Sequence, residues 1–239
     1  MNKSIVILGS GRSGTSFLSN LLFKNGVLAG QCTSGTLENL KVREINEACL
    51  TKFYGATTRS KLPYGVLPNS EIKVESEFQE KAKNFVDEMN SNTDGQWWDD
   101  SNSFWMMKDP RTTLLHDMWV KHFDVVIGVF RNPTEVVESY MKLLDVYYTG
   151  DKNVGYDNML NYWKRFNTSL LYSLDNYDKE KYLIDFNGDV EKQIKEMCRN
   201  LGINLVNYNY NENQKHHHSS EIKDKEAKLI YERLKKYGE

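Results

Sequence analysis

The chain has 239 residues, of which 39% are hydrophobic and 27% charged, a balance typical of globular rather than disordered proteins. Its 31 basic and 33 acidic residues nearly cancel, which argues against a broadly basic protein that binds nucleic acid. No apolar run approaches the ~18 residues that can span a bilayer, and three widely spaced cysteines predict neither a disulfide framework nor a zinc site. We therefore expect one domain over residues 1–239, without a membrane span, in a reducing, cytoplasmic compartment.

The hydrophobic pattern begins with a strand, a turn and a helix. A buried strand over residues 4–8 leads into a glycine-rich turn, and apolar residues at helical spacing follow over Thr15–Lys24. A short strand over residues 27–29 and a helix over residues 38–53 make a second pass. This order is the opening of a parallel β-α-β unit.

The later pattern continues the alternation of strands and helices. It predicts strands over residues 104–107, 124–130 and 182–184, and helices over residues 71–89, 112–122, 133–146, 156–174, 190–201 and from residue 220. Strands that alternate with helices predict an α/β fold, in which helices cover both faces of a parallel sheet. We expect a three-layer α/β/α architecture with a central, mainly parallel sheet and a P-loop-like phosphate-binding turn.

The glycine-rich turn over residues 9–16 reads GSGRSGTS. Glycines let successive backbone N–H groups and the start of the next helix point at one anion. Arg12 adds a cation, and the serine and threonine side chains add hydroxyl donors. The alternative is an ordinary tight connection with an exposed arginine. The residues predicted to bind phosphate are Gly11, Arg12, Ser13, Gly14, Thr15 and Ser16.

Neither common nucleotide-binding motif is complete in this turn. Thr15 stands where loops that bind nucleoside triphosphates have lysine, and Arg131 ends a core strand where a magnesium-binding aspartate is usual. A dinucleotide site needs an acidic residue after the second strand, where this chain has Gly30 and Gln31. The turn therefore predicts a ligand that is an anion without a bound metal, and neither ATP nor NAD.

Four segments carry the clearest functional signal: RSGTS at residues 12–16, GTLEN at 35–39, KDPR at 108–111 and FRNPTEVVESY at 130–140. Together they resemble sulfotransferases that use 3′-phosphoadenosine 5′-phosphosulfate (PAPS). The first is similar to the family's 5′-phosphosulfate loop and the last to its 3′-phosphate segment. The middle two are similar to elements of bacterial members, and all four occur in the family's order.

The resemblance implies PAPS as co-substrate, no metal, and a hydroxyl acceptor on a small molecule or a glycan, in a protein that could be a homodimer. It implies that Arg12 and its loop bind the 5′-phosphate, and that Lys108 stabilises the transferring sulfuryl group. Arg131 and Ser139 are implied to bind the 3′-phosphate. The structural alternatives are a surface lysine at 108, an ion pair between Arg131 and Glu135, and a small packing residue at 139.

A hydroxyl acceptor must lose a proton, so the site also needs a general base. Glu38 is our candidate, because it lies at the edge of the second strand-to-helix loop, beside the first. The alternative role for Glu38 is to stabilise a helix dipole. His116 competes as the base, since many sulfotransferases use histidine, but it falls on a helix beyond the strand of Lys108. Asp109 is expected to hold the loop or a neighbouring arginine.

Two other functions stay open from the sequence. One is a P-loop nucleotide or small-molecule kinase, which the missing lysine at Thr15 disfavours. The other is a member of the fold that binds a nucleotide without catalysis. Leu183 and Ile184 depart from a family feature, which leaves the adenine contacts undefined. Trp97 and Trp98 line an acceptor pocket or pack internally, and the histidines at 216–218 are a metal-binding tract, a tag remnant or part of a basic loop over the nucleotide.

Overall fold

The computed structural model describes residues 3–54, 72–91, 104–147, 155–178, 180–206, 208 and 221–238. It contains four β-strands, β1 Lys3–Leu8, β2 Phe104–Lys108, β3 Val125–Phe130 and β4 Glu180–Asp185. The α-helices of these ranges are α1 Thr15–Lys24, α2 Leu40–Tyr54, α3 Ser76–Ser91, α4 His116–Trp119, α5 Pro133–Tyr147, α6 Tyr156–Asn176, α7 Val190–Leu201 and α8 Lys225–Tyr237. Two short 3-10 helices, Pro110–Thr113 and Val120–His122, flank α4.

The strands form a parallel sheet in the order β2-β1-β3-β4. Strand β3 reads VVIGVF and is buried at all six positions, as expected of a central parallel strand covered on both faces. Because all four strands run the same way, their carboxyl ends share one edge of the sheet. That edge brings the turn after β1 close to Lys108 and Arg131, which lie at the ends of its two neighbours.

The two faces of the sheet carry separate hydrophobic clusters. Val6 and Leu8 of β1 pack into a cluster with residues of α2, α3, α4, α5, α6 and α8. Ile5 and Ile7, which alternate with them, pack against residues of α1 and α7. Alternate side chains of a strand point to opposite faces, so the sheet lies between two helical layers. This confirms the predicted α/β fold class with its parallel sheet.

The predicted strand over residues 27–29 is wrong. Only Leu28 pairs with the sheet, through one parallel bridge to Trp105 at the edge of β2. Gly26 and Gly30 bound this segment with φ values of 90° and 64°, so the chain bends on both sides after too few residues for a ladder.

The helix predicted over residues 112–122 is also wrong as one element. It is replaced by α4 and the two 3-10 helices, and Asp109 begins the first of these by accepting a hydrogen bond from the Arg111 amide at 2.8 Å. Such short turns carry few hydrogen bonds of their own, and here they pack Leu115, Met118 and Trp119 into the core.

Helix α2 begins two residues later than predicted, which changes the setting of Glu38. The side-chain Oδ1 of Asn39 accepts a hydrogen bond from the Val42 amide at 3.1 Å and thereby caps the helix. Glu38 therefore lies in the loop before the cap.

None of the helices in the described ranges is both long and apolar enough to cross a membrane. A single domain over residues 1–239, a cytoplasmic location and a homodimer stay predictions. Trp97, Trp98 and the histidines at 216–218 lie outside the described residues.

Candidate active site

The turn after β1 is held in place by close contacts on both sides. Gly9 has φ 153°, and a Cβ there would lie 2.4 Å from the backbone oxygen of Val129. Its amide donates to Thr113 Oγ1 at 2.8 Å, and the same hydroxyl donates to the Gly9 carbonyl at 3.2 Å. Gly14 has φ 105°, and a Cβ there would lie 2.3 Å from the Phe186 ring. Glycine is required at both positions because the neighbouring groups leave no room for a side chain.

The end of this turn presents a positive surface. Gly14 is the N-cap of α1 and makes no side-chain capping hydrogen bond. The first amides of a helix have no partner within the helix and carry the positive end of its dipole. Arg12 lies beside them in a left-handed conformation, with φ 65°, and its Nε donates to Ser139 Oγ at 2.9 Å. The first and last of the four motifs therefore meet directly.

Lys108 is buried at the end of β2, where its ammonium group makes three contacts. Nζ donates to Ser16 Oγ at 3.1 Å, to the Thr36 carbonyl at 3.2 Å and to Glu38 Oε1 at 3.4 Å. Burial lowers the pKa of Lys108, and the carboxylate of Glu38 opposes that shift. The lysine is thus an oriented internal cation that connects three of the four motifs.

These residues line one cavity of about 250 Å³. Its polar wall consists of Gly11, Arg12, Thr15, Ser16, Thr36, Glu38 and Lys108. The remaining wall consists of Leu50, Pro110, Arg111, Leu114, Tyr140, Leu143, Tyr162 and Phe166. A cation, an uncapped helix N-terminus and a carboxylate therefore share one cavity, which suits an anionic group beside a group that loses a proton.

Asp109 binds its neighbour Arg111 instead of facing the cavity. Its Oδ2 accepts from Arg111 Nη1 at 2.7 Å, and Arg111 Nη2 also donates to Glu47 Oε1 at 3.1 Å. Burial raises the pKa of Asp109, and the adjacent guanidinium opposes that shift. The geometry matches the structural role expected of Asp109.

Ser13 and Arg131, both predicted phosphate contacts, are engaged inside the protein. The amide of Ser13 donates to the Ser10 carbonyl at 3.3 Å, and its hydroxyl also bonds the Ser10 hydroxyl. Arg131 forms an ion pair with Glu135, with Nε at 2.8 Å and Nη2 at 2.7 Å from Oε2. Asn187 Nδ2 donates to the other oxygen of Glu135 at 2.7 Å. Neither Ser13 nor Arg131 lines the cavity of Lys108.

His116 lies away from Lys108. It lines a different cavity of about 440 Å³, together with residues of α6. Its Nδ1 is 3.0 Å from Asp117 Oδ1, its ring packs on Tyr172, and burial lowers its pKa. Of the two candidate bases, the structure brings only Glu38 to the phosphate-binding turn. No group of three or more metal-ligating side chains is present within the described ranges.

The sequence interpretation missed two tyrosines that hold the turn. Tyr162 of α6 accepts a hydrogen bond from the Gly11 amide at 3.3 Å and one from the Tyr140 hydroxyl at 3.1 Å. Burial raises the pKa of Tyr162 to about 12, so its hydroxyl keeps its proton. Tyr162 is 151 residues from Gly11 in the chain, so no local motif predicts this contact. Tyr140 ends the fourth motif, which was the one available signal.

Two solved sulfotransferase domains share this architecture. The domain from the curacin biosynthetic pathway aligns with a TM-score of 0.53 and 14% identity, over 98% of this chain and 98% of its own. The domain from the Synechococcus PCC 7002 olefin synthase aligns with a TM-score of 0.54 and 16% identity, over 98% of this chain and 95% of its own. The chain has the sulfotransferase fold.

At this identity the likeness describes the fold alone. A sugar kinase from Janibacter sp. HTCC2649 also aligns, with 14% identity over 86% of this chain and 98% of its own, but its TM-score of 0.44 does not indicate a shared fold. No protein-family model matches the chain, and no curated protein matches its sequence. The sulfotransferase fold is thus recognised through structure and through four short motifs.

Proposed function

We propose that the chain is a PAPS-dependent sulfotransferase that moves a sulfuryl group to an acceptor hydroxyl. The observation that carries this proposal is the meeting of Arg12, Lys108 and Glu38 in one cavity at the carboxyl edge of the sheet. Ligands of open α/β folds bind at this edge. The sulfotransferase fold supports the same function.

The positive groups of the cavity suit the donor side of the reaction. Arg12 and the start of α1 bind the 5′-phosphate, and Lys108 lies against the transferring sulfuryl group and the bridging oxygen. Ser16 and the Thr36 carbonyl orient Lys108 before a substrate arrives. Charge develops on the sulfuryl oxygens and the leaving phosphate, so a preorganised cation there lowers the barrier. An anion beside Lys108 also offsets the effect of burial on its pKa.

Glu38 takes the acceptor's proton in this proposal. The acceptor oxygen forms a bond to sulfur, and the bond between sulfur and the 5′-phosphate oxygen breaks. The leaving group, 3′-phosphoadenosine 5′-phosphate (PAP), keeps that electron pair, and the hydroxyl proton passes to the Glu38 carboxylate. Its Oε1 is 3.4 Å from Lys108 Nζ, so the base lies next to the cation that faces the reacting group.

Arg131 and Ser139 bind the 3′-phosphate in this proposal. Ser139 already bonds Arg12, which places the 3′-phosphate segment beside the 5′-phosphate turn. Arg131 uses Nε and Nη2 for Glu135, and a guanidinium has further N–H donors on Nη1. The ion pair with Glu135 therefore orients Arg131 and still leaves donors for a phosphate.

Thermal unfolding with added nucleotides tests the proposal. At 100 times its Kd, a ligand of the native state adds about 2.7 kcal/mol of stability, which raises Tm by about 5–10 °C for a chain of this size. We expect that rise with PAP and a smaller one with ATP and magnesium. A greater rise with ATP and magnesium would instead indicate a kinase. PAP binding without PAPS turnover on any hydroxyl acceptor would indicate a non-catalytic member of the fold.

An arginine pair provides the matched control for this experiment. Arg12→Ala removes a cation beside the uncapped start of α1, and we expect it to abolish most of the shift with PAP. Arg233→Ala removes an exposed arginine of α8 that pairs with Asp175, and we expect the full shift. Equal Tm shifts with PAP in both variants would show that Arg12 does not bind the phosphate.

A further inference from the structure

The lining of the Lys108 cavity has two chemically different parts. The polar part includes Lys108 and Glu38, described above. We call the apolar part, formed by Leu50, Leu114, Leu143 and Phe166, the apolar end. Leu50, Leu114 and Phe166 are buried core residues, and Leu143 is half-buried against the same cluster. The apolar end is thus built on the packed core of the protein.

The polar groups near the apolar end already have partners. The Arg111 guanidinium donates hydrogen bonds to the carboxylates of Asp109 and Glu47, so its charge is already balanced without an acidic substrate. The Tyr162 hydroxyl accepts hydrogen bonds from Gly11 and Tyr140. A substrate that contacts the apolar end therefore meets mostly carbon atoms.

We propose that the acceptor is a single alcohol or phenol hydroxyl on an apolar body, and not a sugar. This inference rests on the proposed function and specifies its substrate class. The reacting hydroxyl lies at Glu38, and the rest of the molecule fills the apolar end. Burying alkyl or aryl groups against leucine and phenylalanine is favourable. The additional hydroxyls of a sugar lose their water there without gaining partners.

The size of the cavity limits the acceptor. A volume of about 250 Å³ corresponds to roughly eight water-sized groups, and the sulfuryl group takes part of that space. Each methylene that enters the apolar end increases kcat/KM about fourfold. The gain stops once the cavity is full, so short linear alcohols reveal both the polarity and the depth of the apolar end.

Linear alkan-1-ols from ethanol to octanol, with glucose as the polyhydroxylated probe, test the inference. PAP binding is measured first, by thermal shift. We then expect kcat/KM with PAPS to rise about fourfold per methylene and to level off, while glucose does no better than ethanol. If turnover is too slow to follow, the Kd of each alcohol for the PAP complex is measured by calorimetry, with the same dependence on chain length expected.

A pair of leucine variants locates the effect. Leu143→Asn puts an amide into the half-buried position of the apolar end, and we expect at least a tenfold loss for hexanol with little change for ethanol. Leu229→Asn makes the same change at an exposed leucine of α8, and we expect wild-type behaviour. The circular dichroism spectrum and the PAP shift show that each variant is folded.

The outcomes separate the two proposals. Absence of PAP binding overturns the proposed function, and the acceptor inference with it. PAP binding with no dependence on alcohol chain length, in turnover or in Kd, overturns the acceptor inference alone. Preferred turnover of glucose also overturns it and leaves the sulfotransferase proposal standing. A chain-length dependence that Leu143→Asn leaves unchanged places the alcohols elsewhere and likewise contradicts the inference.

Discussion

Lys108 and Arg131 are two cations at equivalent places in the fold, and they are held in different ways. Lys108 is the last residue of β2 and Arg131 directly follows β3, the two strands that neighbour β1, and each cation faces a glutamate. Arg131 contacts Glu135 through two nitrogens at 2.7 and 2.8 Å, and the glutamate side chain is 1% exposed. Lys108 lies 3.4 Å from Glu38, with the lysine 2% and the glutamate 18% exposed.

The difference separates a structural ion pair from a reactive one. Glu135 is also bound by Asn187, so its pair with Arg131 joins α5 to the segment after β4. The Lys108 ammonium group donates hydrogen bonds to Ser16 and the Thr36 carbonyl as well as to Glu38. Lys108 and Glu38 both line the cavity. We infer that the tighter pair contributes mainly to stability and orientation, while the looser pair is available for chemistry. Four substitutions test that division.

Glu38→Gln has the largest expected effect on turnover. The amide keeps the shape of the side chain but cannot take a proton, so we expect kcat with PAPS to fall by about 10²–10⁴-fold. The Kd for PAP, measured by calorimetry, stays within a few-fold of wild type because Glu38 does not bind phosphate. Near-wild-type turnover would exclude Glu38 as the base.

Lys108→Met comes next. Methionine fills much of the buried space but leaves the sulfuryl group without its cation, and we expect kcat to fall by about 10²–10³-fold. Lys195→Met, at an exposed lysine paired with Glu191, is the matched control and leaves kcat unchanged. Equal kcat values for the two variants would exclude Lys108 from stabilising the transferring sulfuryl group.

Glu135→Gln reports on stability. It leaves the Arg131 guanidinium without its charged partner, and we expect a loss of about 1.5–3 kcal/mol in the free energy of unfolding. Glu191→Gln breaks a solvated pair within α7 and costs at most about 0.5 kcal/mol. Urea unfolding of both variants measures the difference. If Glu38→Gln destabilised the protein more than Glu135→Gln, the proposed division between the pairs would be reversed.

Arg131→Ala has the smallest expected effect and separates the two phosphates of the ligand. Loss of a charge-assisted hydrogen bond to the 3′-phosphate weakens PAP binding by about 10–100-fold. Adenosine 5′-phosphate lacks that phosphate, so its Kd stays within a few-fold of wild type. Isothermal titration of both nucleotides gives the comparison. A similar loss for both would assign Arg131 a purely structural role.

The sequence predicted the parts of the fold that are encoded locally. Strand β3 was predicted from its continuous apolar run, and helix α1 from apolar residues at helical spacing that end at Asn25 and Gly26. The segment around Leu28 was misjudged, because its pairing depends on a strand 77 residues further along the chain, whose edge accepts only one residue. Apolar composition alone does not distinguish a strand from a single bridge.

The sequence predicts the parts of the site where motifs lie at strand ends. It does not predict the parts that distant helices contribute. Arg12, Lys108 and Glu38 meet because parallel strands end at the same edge. The apolar end depends on Leu143 and Phe166, which lie on separate helices and look like ordinary core residues in the sequence. The Arg131 ion pair with Glu135 was foreseen as an alternative, and the two residues are only four positions apart in the chain.

The backbone conformation of Arg12 lowers the stability of the turn. Its φ of 65° belongs to the region that glycine occupies freely and that costs other residues about 1–2 kcal/mol. Arg12→Gly would relax that strain while it removed the side chain that reaches Ser139. Thermostability and ligand affinity then pull in opposite directions at this one position. A sequence selected only for heat resistance would tend to have glycine here, and the proposed binding role of Arg12 supplies a reason for the arginine.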